Sequence, residues 1–213
     1  SNYCKNQLIK EFGSQIEKKS IVIFNGLDSK KFKQKEQFTS NFNFIIACHL
    51  RKDKGIQDVI DVVNQLKLEI QIPFTITIYG EGNYENVLKQ KIESASLQDF
   101  FIFKGSVSNL HEIYCNYDYL IHPSHGETFC YTVVESLMSN LPVITNNQGN
   151  VLGLVTNNTN GFLYNDHQIN DLKKILKGVL INEIKVENGL QKDSKVANLS
   201  LDKMVDNYLN LLQ

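Results

Sequence analysis

Residues 118–145, DYLIHPSHGETFCYTVVESLMSNLPVIT, read as strand, turn, helix and strand in succession. DYLIH is a strand-like run that stops at Pro123-Ser124, SHGE is a polar turn, TVVESLMSNL is helix-like and PVIT is a second strand. Two carboxylates stand out. Glu127 falls at the strand-to-helix turn and Glu135 is expected about two turns into the helix. At ~1.5 Å rise per residue, eight helical residues span about 12 Å, and more if the first lies outside the helix. That exceeds the ~5–9.5 Å separation of a glycosidase acid/base pair. The pair is better suited to holding two ends of one long ligand, with the helix N-terminus between them. On spacing alone, a solvated loop glutamate and a surface-helix glutamate remain an open alternative.

The same alternation extends in both directions. Upstream come strands IVIF (21–24), FNFIIACHL (42–50), FTITIYG (74–80) and FFIFKG (100–105). Between them lie helical patterns GIQDVIDVVNQLKLE (55–69), NYENVLKQKIESASL (83–97) and SNLHEIYCNY (108–117), the last with Ser108 or Asn109 as cap. Downstream, a short helix around NVLGLVTN leads to an edge strand GFLY. An amphipathic helix (168–182), a polar, partly helical stretch (183–199) and a terminal helix capped by Ser200 complete the chain. Repeated strand–helix alternation with near-continuous apolar strands implies a parallel sheet covered by helices on both faces. In such folds ligands bind at the carboxyl ends of the strands. There the chain places residues 49–55, Gly80-Glu81-Gly82, residues 104–107 and residues 123–127.

Composition narrows the function. At 213 residues, with 42% hydrophobic and 21% charged residues, one domain with a sizeable core is expected. Lys+Arg 22 against Asp+Glu 23 lacks the basic excess of a nucleic-acid-binding surface. No apolar run approaches the ~20 residues of a membrane span, and SNYCKNQLIKEFG at the N-terminus reads as a short helix rather than a signal segment. Cys4, Cys48, Cys115 and Cys130 form no CxxC pair and are expected as buried free thiols of a reducing compartment. Cys130 has no base at an obvious sequence partner, which argues against a nucleophile. His122, His125 and Glu127 do not share a helical face and lack a zinc signature. We therefore expect a structural His122, an exposed His125 and no metal. His111 and His167 read as ordinary helix or loop residues.

NGLDSKKF (25–32), CHLRKDKG (48–55), IYGEG (78–82), FKGSVS (103–108), DYLIHPS (118–124), ETFCYTVVESLMSNLPVIT (127–145), NNQGN (146–150) and NNTNGFLYN (157–165) occur in an order that resembles the retaining GT-B glycosyltransferases, group 1. The resemblance covers nearly the whole chain. It implies an α/β fold with a Rossmann-like parallel sheet, the C-terminal, donor-binding half of a GT-B enzyme. Residues 1–20 would be the interdomain connection, 21–199 the nucleotide-sugar-binding domain, and 200–213 a helix crossing to an N-terminal acceptor domain of the same protein. By resemblance, Glu127 and Lys54 are catalytic. Glu127, Thr128 and Phe129 meet the donor sugar. His49, Arg51, Lys54, Cys130, Tyr131 and Thr132 surround the diphosphate, and Gly80, Val107 and Glu135 contact the nucleoside. His49 stands where the family carries arginine, and Cys130 where it often carries glycine.

The implied activity is retaining transfer from a nucleotide diphosphate sugar to a sugar or lipid-linked hydroxyl. A UDP-sugar is expected in preference to a GDP-sugar, with no cofactor, in bacterial-type polysaccharide or lipopolysaccharide synthesis. The expected place is the cytoplasm, including the inner face of the membrane through peripheral association of the acceptor domain. The domain alone is expected to be inactive. Two rivals are a nucleotide-sugar 2-epimerase of the same architecture, for which no acid/base pair is evident, and a non-catalytic nucleotide-binding scaffold.

Overall fold

The computed structural model describes residues 1–36, 42–186 and 194–212. In chain order its elements are α1 (Asn2–Phe12), α2 (Gln15–Lys19), β1 (Asn43–Ala47), α3 (Ile56–Leu66), β2 (Thr75–Tyr79), α4 (Glu85–Ser94), β3 (Phe101–Gly105), α5 (Leu110–Ile113), β4 (Tyr119–His122), α6 (Tyr131–Met138), β5 (Val143–Asn146), β6 (Gly161–Tyr164), α7 (Ile169–Leu180), α8 (Ser194–Ala197) and α9 (Leu201–Leu209). The six strands form one parallel sheet in the order β3-β2-β1-β4-β5-β6. The chain builds outward from β1 in one direction, returns to place β4 on the other side of β1, and builds outward again. The β1/β4 seam is therefore the topological switch point, where a crevice opens beyond the carboxyl ends.

Alternate strand residues feed two cores. Phe44 and Ile46 of β1 join Ile76, Ile78 and Ile121 beneath α3, α4 and α7. Ile45 and Ala47 face the other way and join Leu120, Val143 and the apolar side of α6. This period-two partition of fully apolar strands is what burial on both faces requires. At the amino end of the seam, the buried Asp118 accepts from the Asn43 amide and pairs with Lys35 at 3.3 Å, tying the starts of β1 and β4 together.

Three sequence expectations change. Residues 21–24 form no strand: an apolar run of four has no periodicity to mark its class. Ile21 is exposed, and among the described residues the nearest ladder contact lies beyond the run, where Leu27 bridges Ser200. The stretch around NVLGLVTN is a series of turns rather than a helix. The pattern at 108–117 yields only α5 followed by a 3-10 turn, Tyr114–Asn116. GFLY is the edge strand β6 as expected, and Ser200 caps α9 by accepting from the Lys203 amide. Of the polar stretch at 183–199, residues 187–193 lie outside the described residues.

Candidate functional site

The segment that leads from β4 into α6 carries the site. α6 starts at Tyr131, so Glu127 lies in the preceding loop and Glu135 about one turn into the helix, not two. Cys130 is the N-cap residue, with φ 64° and ψ 59° and no side-chain cap. This left-handed conformation is strained for a residue with a Cβ. Val133 and Val134 both donate to the Cys130 carbonyl. Among the described residues the amides of Tyr131 and Thr132 donate to no protein group. They leave a helix N-terminus open to an anion.

Glu127 is the electrostatic centre. Its Oε1 accepts from Lys54 Nζ at 2.7 Å and lies 3.3 Å from His122 Nε2. That ring nitrogen is buried and makes no aligned hydrogen bond, so its contact with Glu127 is an electrostatic one. Burial works to raise the Glu127 carboxyl, but the His122 ring and the Lys54 ammonium outweigh it and hold the group at about 2. The Lys54 position follows from Gly55, whose φ of 71° lets the turn at Lys52–Lys54 lie against the end of β4. A Cβ at Gly55 would come within 2.1 Å of the Pro123 carbonyl oxygen.

Glu135 has a different environment. It is half-buried, and Tyr114 Oη donates to its Oε2 at 2.9 Å. Burial raises this carboxyl above the usual range, opposed by the Tyr114 hydroxyl and by His111. Glu135 lines a cleft of about 350 Å³ with Asp28, Lys31, Phe32, Val107 and His111. A neighbouring cleft of about 230 Å³, over the ends of β1 and β2, is lined by His49, Gly80, Glu81, Ser106 and Thr132. Val107 and Leu110 line both, so the two form one trough along the switch point.

The remaining sequence candidates separate into those that face this trough and those that do not. His49 lines it, its Nδ1 3.0 Å from the Glu81 carbonyl oxygen. A carbonyl only accepts, so Nδ1 carries a proton in this contact. Arg51 does not line it: its guanidinium forms a two-point pair with Asp53 at 3.0 and 2.6 Å on the exposed turn. Gly80 has φ 130°, and a Cβ there would come within 1.9 Å of the Cys48 carbonyl, so the glycine serves a close backbone approach. Phe129 and Cys130 are buried in the core with α6, and the Cys130 sulfur lies within 4.8 Å of a Glu127 carboxylate oxygen. Thr132 lines the trough while its hydroxyl donates to the Ala47 carbonyl, fastening α6 to β1. Thr128 is exposed beside Glu127.

All four cysteines are free as expected, but only Cys130 is buried. Cys48 lies just beyond β1 and is half-buried. Burial pushes the thiols of Cys48 and Cys130 to about 12, so neither is a thiolate at neutral pH. His125 is not exposed. Its Nδ1 lies 2.7 Å from Asp166, its Nε2 2.9 Å from Asp58, and its ring stacks on His167. This ring braces the loop that carries Glu127.

Sequence reasoning missed His122 as a neighbour of Glu127, Tyr114 as the partner of Glu135, and Lys31 and His111 as cleft walls. Only the NGLDSKKF segment and the sequence position of His122 just before the loop offered a signal. Among the described residues two trios have ligand atoms within 4.8 Å of one another: His122, Glu127 and Cys130, and His125, Asp166 and His167. Neither is the His122–His125–Glu127 set considered from sequence.

Residues 28–195 match the family described as glycosyl transferases group 1, and the chain belongs to that family. Among curated relatives it is 34% identical over 104 residues to the GtfA subunit of the UDP-N-acetylglucosamine–peptide N-acetylglucosaminyltransferase of Streptococcus gordonii. That match covers 48% of this chain and 20% of the relative. The fold is the Rossmann-like one of GT-B glycosyltransferases. HepE of Anabaena, solved with UDP and glucose, superposes with a TM-score of 0.84 at 20% identity, covering all of this chain and 61% of that one. The C-terminal domain of a group 1 glycosyl transferase from Francisella tularensis gives 0.63 at 23% identity, covering 86% of this chain and 98% of that one. The chain spans about half or less of the length of the first curated relatives it matches. Among the described residues no helix is long and apolar enough to cross a membrane.

Proposed function

We propose that this chain is the donor-binding domain of a retaining glycosyltransferase that takes a nucleotide diphosphate sugar. The observation that carries the reading is the arrangement along one segment: the Lys54–Glu127 pair at one end, Glu135 at the other, and the free amides of Tyr131 and Thr132 between them. An ionised carboxylate accepts two strong hydrogen bonds from a vicinal diol. Glu127 orients the donor sugar beside Thr128, and Glu135 holds the ribose. Lys54, His49 and the amides at Phe129, Cys130, Tyr131 and Thr132 stabilise the departing diphosphate. Gly80 and Val107 border the base. Arg51 reaches the diphosphate only by leaving Asp53. Retention follows if the acceptor hydroxyl attacks from the leaving-group face. No side-chain nucleophile is then required, in keeping with the protonated thiols.

The donor is taken to be UDP-linked, in line with the UDP-sugar named for the Streptococcus gordonii relative and the UDP bound in the Anabaena structure. An N-terminal acceptor domain completes the enzyme and supplies the groups facing the sugar or lipid-linked acceptor. Residues 1–20 and α9 form the connection to it. α1 and α9 bury no residue, and Phe12, Tyr208 and Leu212 are exposed. The whole enzyme then builds polysaccharide, lipopolysaccharide or glycoprotein glycans at the inner face of the membrane.

The test is calorimetry of the folded domain with UDP, GDP and ADP, alongside Glu135→Ala. UDP binding that weakens in the variant supports the reading. Absence of binding by all three nucleotides to folded wild-type protein would sink it.

A further inference from the structure

We propose that His122 Nε2, Glu127 Oε1 and Cys130 Sγ together form a binding site for a thiolate-accepting divalent cation of the Zn²⁺ class. The site overlaps the position proposed above for the donor sugar, and that overlap alone rests on the functional reading.

His122 is 4% exposed, and its Nε2 has no hydrogen-bond partner although it lies 3.3 Å from Glu127 Oε1. A buried polar atom left without a partner is costly, and each such case calls for a reason. The Cys130 sulfur lies within 4.8 Å of both atoms. Ligands on a tetrahedral Zn²⁺, at ~2.0–2.3 Å from the metal, sit about 3.3–3.8 Å from one another. The widest ligand pair therefore needs to close by about 1.5 Å at most. Imidazole, carboxylate and thiolate are a donor set that suits zinc, and three protein ligands leave one position open.

Lys54 supplies the second strand of the argument. Its ammonium already stands at 2.7 Å from Glu127 Oε1, so the carboxylate is arranged to receive a cation from that side. On binding, the metal takes Oε1, Lys54 swings away with its proton, and the Cys130 thiol releases its proton to solvent as the metal–sulfur bond forms. The other trio does not do this. The His125 and His167 rings stack at 4.3 Å and 10°, so their in-plane lone pairs run parallel instead of converging. Both His125 nitrogens already face carboxylates.

Cobalt titration of the folded protein tests the site. Wild-type protein is expected to develop a near-ultraviolet sulfur-to-cobalt charge-transfer band at one equivalent, displaced by Zn²⁺. Cys130→Gly folds readily because its φ is glycine-like, and it should lose the band while Cys4, Cys48 and Cys115 remain. Glu127→Gln removes one of the three ligands and should weaken the metal by more than the ~10–100-fold typical of a lost outer-shell partner. No band in the wild type, or an undiminished band in Cys130→Gly, overturns the site. UDP-sugar, where it binds, should compete with cobalt. If the domain binds no nucleotide, the functional reading fails while the cobalt result still decides the metal site.

Discussion

Glu127 and Glu135 lie on one eight-residue span yet occupy opposite electrostatic settings. Glu127 sits between a lysine and a histidine and is held ionised down to about 2. Burial raises the Glu135 carboxyl, with the Tyr114 hydroxyl and His111 opposing it. Residue type and local spacing are nearly the same, so the difference comes from what the fold brings against each group. A carboxylate with an ammonium and an imidazole beside it is built for strong, charge-dependent contacts. One against a neutral donor holds a ligand hydroxyl with less at stake.

The comparison is broken most directly by Glu127→Gln. Losing charge-assisted hydrogen bonds worth about 3 kcal/mol should weaken nucleotide-sugar binding by about 100-fold. Binding of the nucleotide alone should barely change. Parallel titrations with UDP and a UDP-sugar check this, and equal weakening of both ligands would remove the assignment of Glu127 to the sugar.

Gly55→Ala attacks the same end through the backbone. A Cβ pressed against the Pro123 carbonyl at a φ of 71° should cost about 2–3 kcal/mol of stability and displace Lys54. Denaturant unfolding reads it, and an unchanged midpoint would mean that the turn does not lock Lys54.

Glu135→Gln should weaken UDP and UDP-sugar alike by about tenfold, the loss of about 1.4 kcal/mol. The two variants should also affect thermal stability at neutral pH differently. The folded-state group at Glu127 lies below its ordinary 4.5, so its ionisation stabilises the fold above that pH. This contribution is lost as the pH falls from 4.5 towards 2. Glu135 is raised, so its ionisation opposes the fold, and that penalty disappears on acidification. Glu127→Gln should therefore lower the melting temperature and flatten its acid limb, and Glu135→Gln should leave it equal or raise it. Melting curves across pH settle the signs.

The smallest effect is expected at the junction of the two ends. Cys130→Gly trades a buried thiol for relief of the left-handed backbone, and the two should offset to within about 1 kcal/mol. A larger loss by differential scanning calorimetry would show that the thiol, not the turn, holds the helix start.

The strands of the sheet, the helices α3, α4, α7 and α9, and the loop–helix placement of the two glutamates were legible because their signals are local. Alternating apolar runs, turn glycines and a serine cap act within a few residues. The four-residue run at 21–24 misled because a strand exists only with a partner, and no ladder reaches it. His125 was read as exposed because nothing in SHGE announces Asp58 and Asp166, which reach it from other parts of the chain.

From the residues alone come the parallel α/β class, the family motifs, and the position of one carboxylate before α6 and another within it. Only the tertiary structure brings Lys54 across 73 residues to Glu127 and Tyr114 across 21 to Glu135, and leaves the His122 nitrogen buried without a hydrogen-bond partner. The physical reason is the strand order. Inserting β4 beside β1 joins segments that the chain separates, and the charge state of each glutamate depends on those neighbours and on burial, neither of which is written in its local sequence.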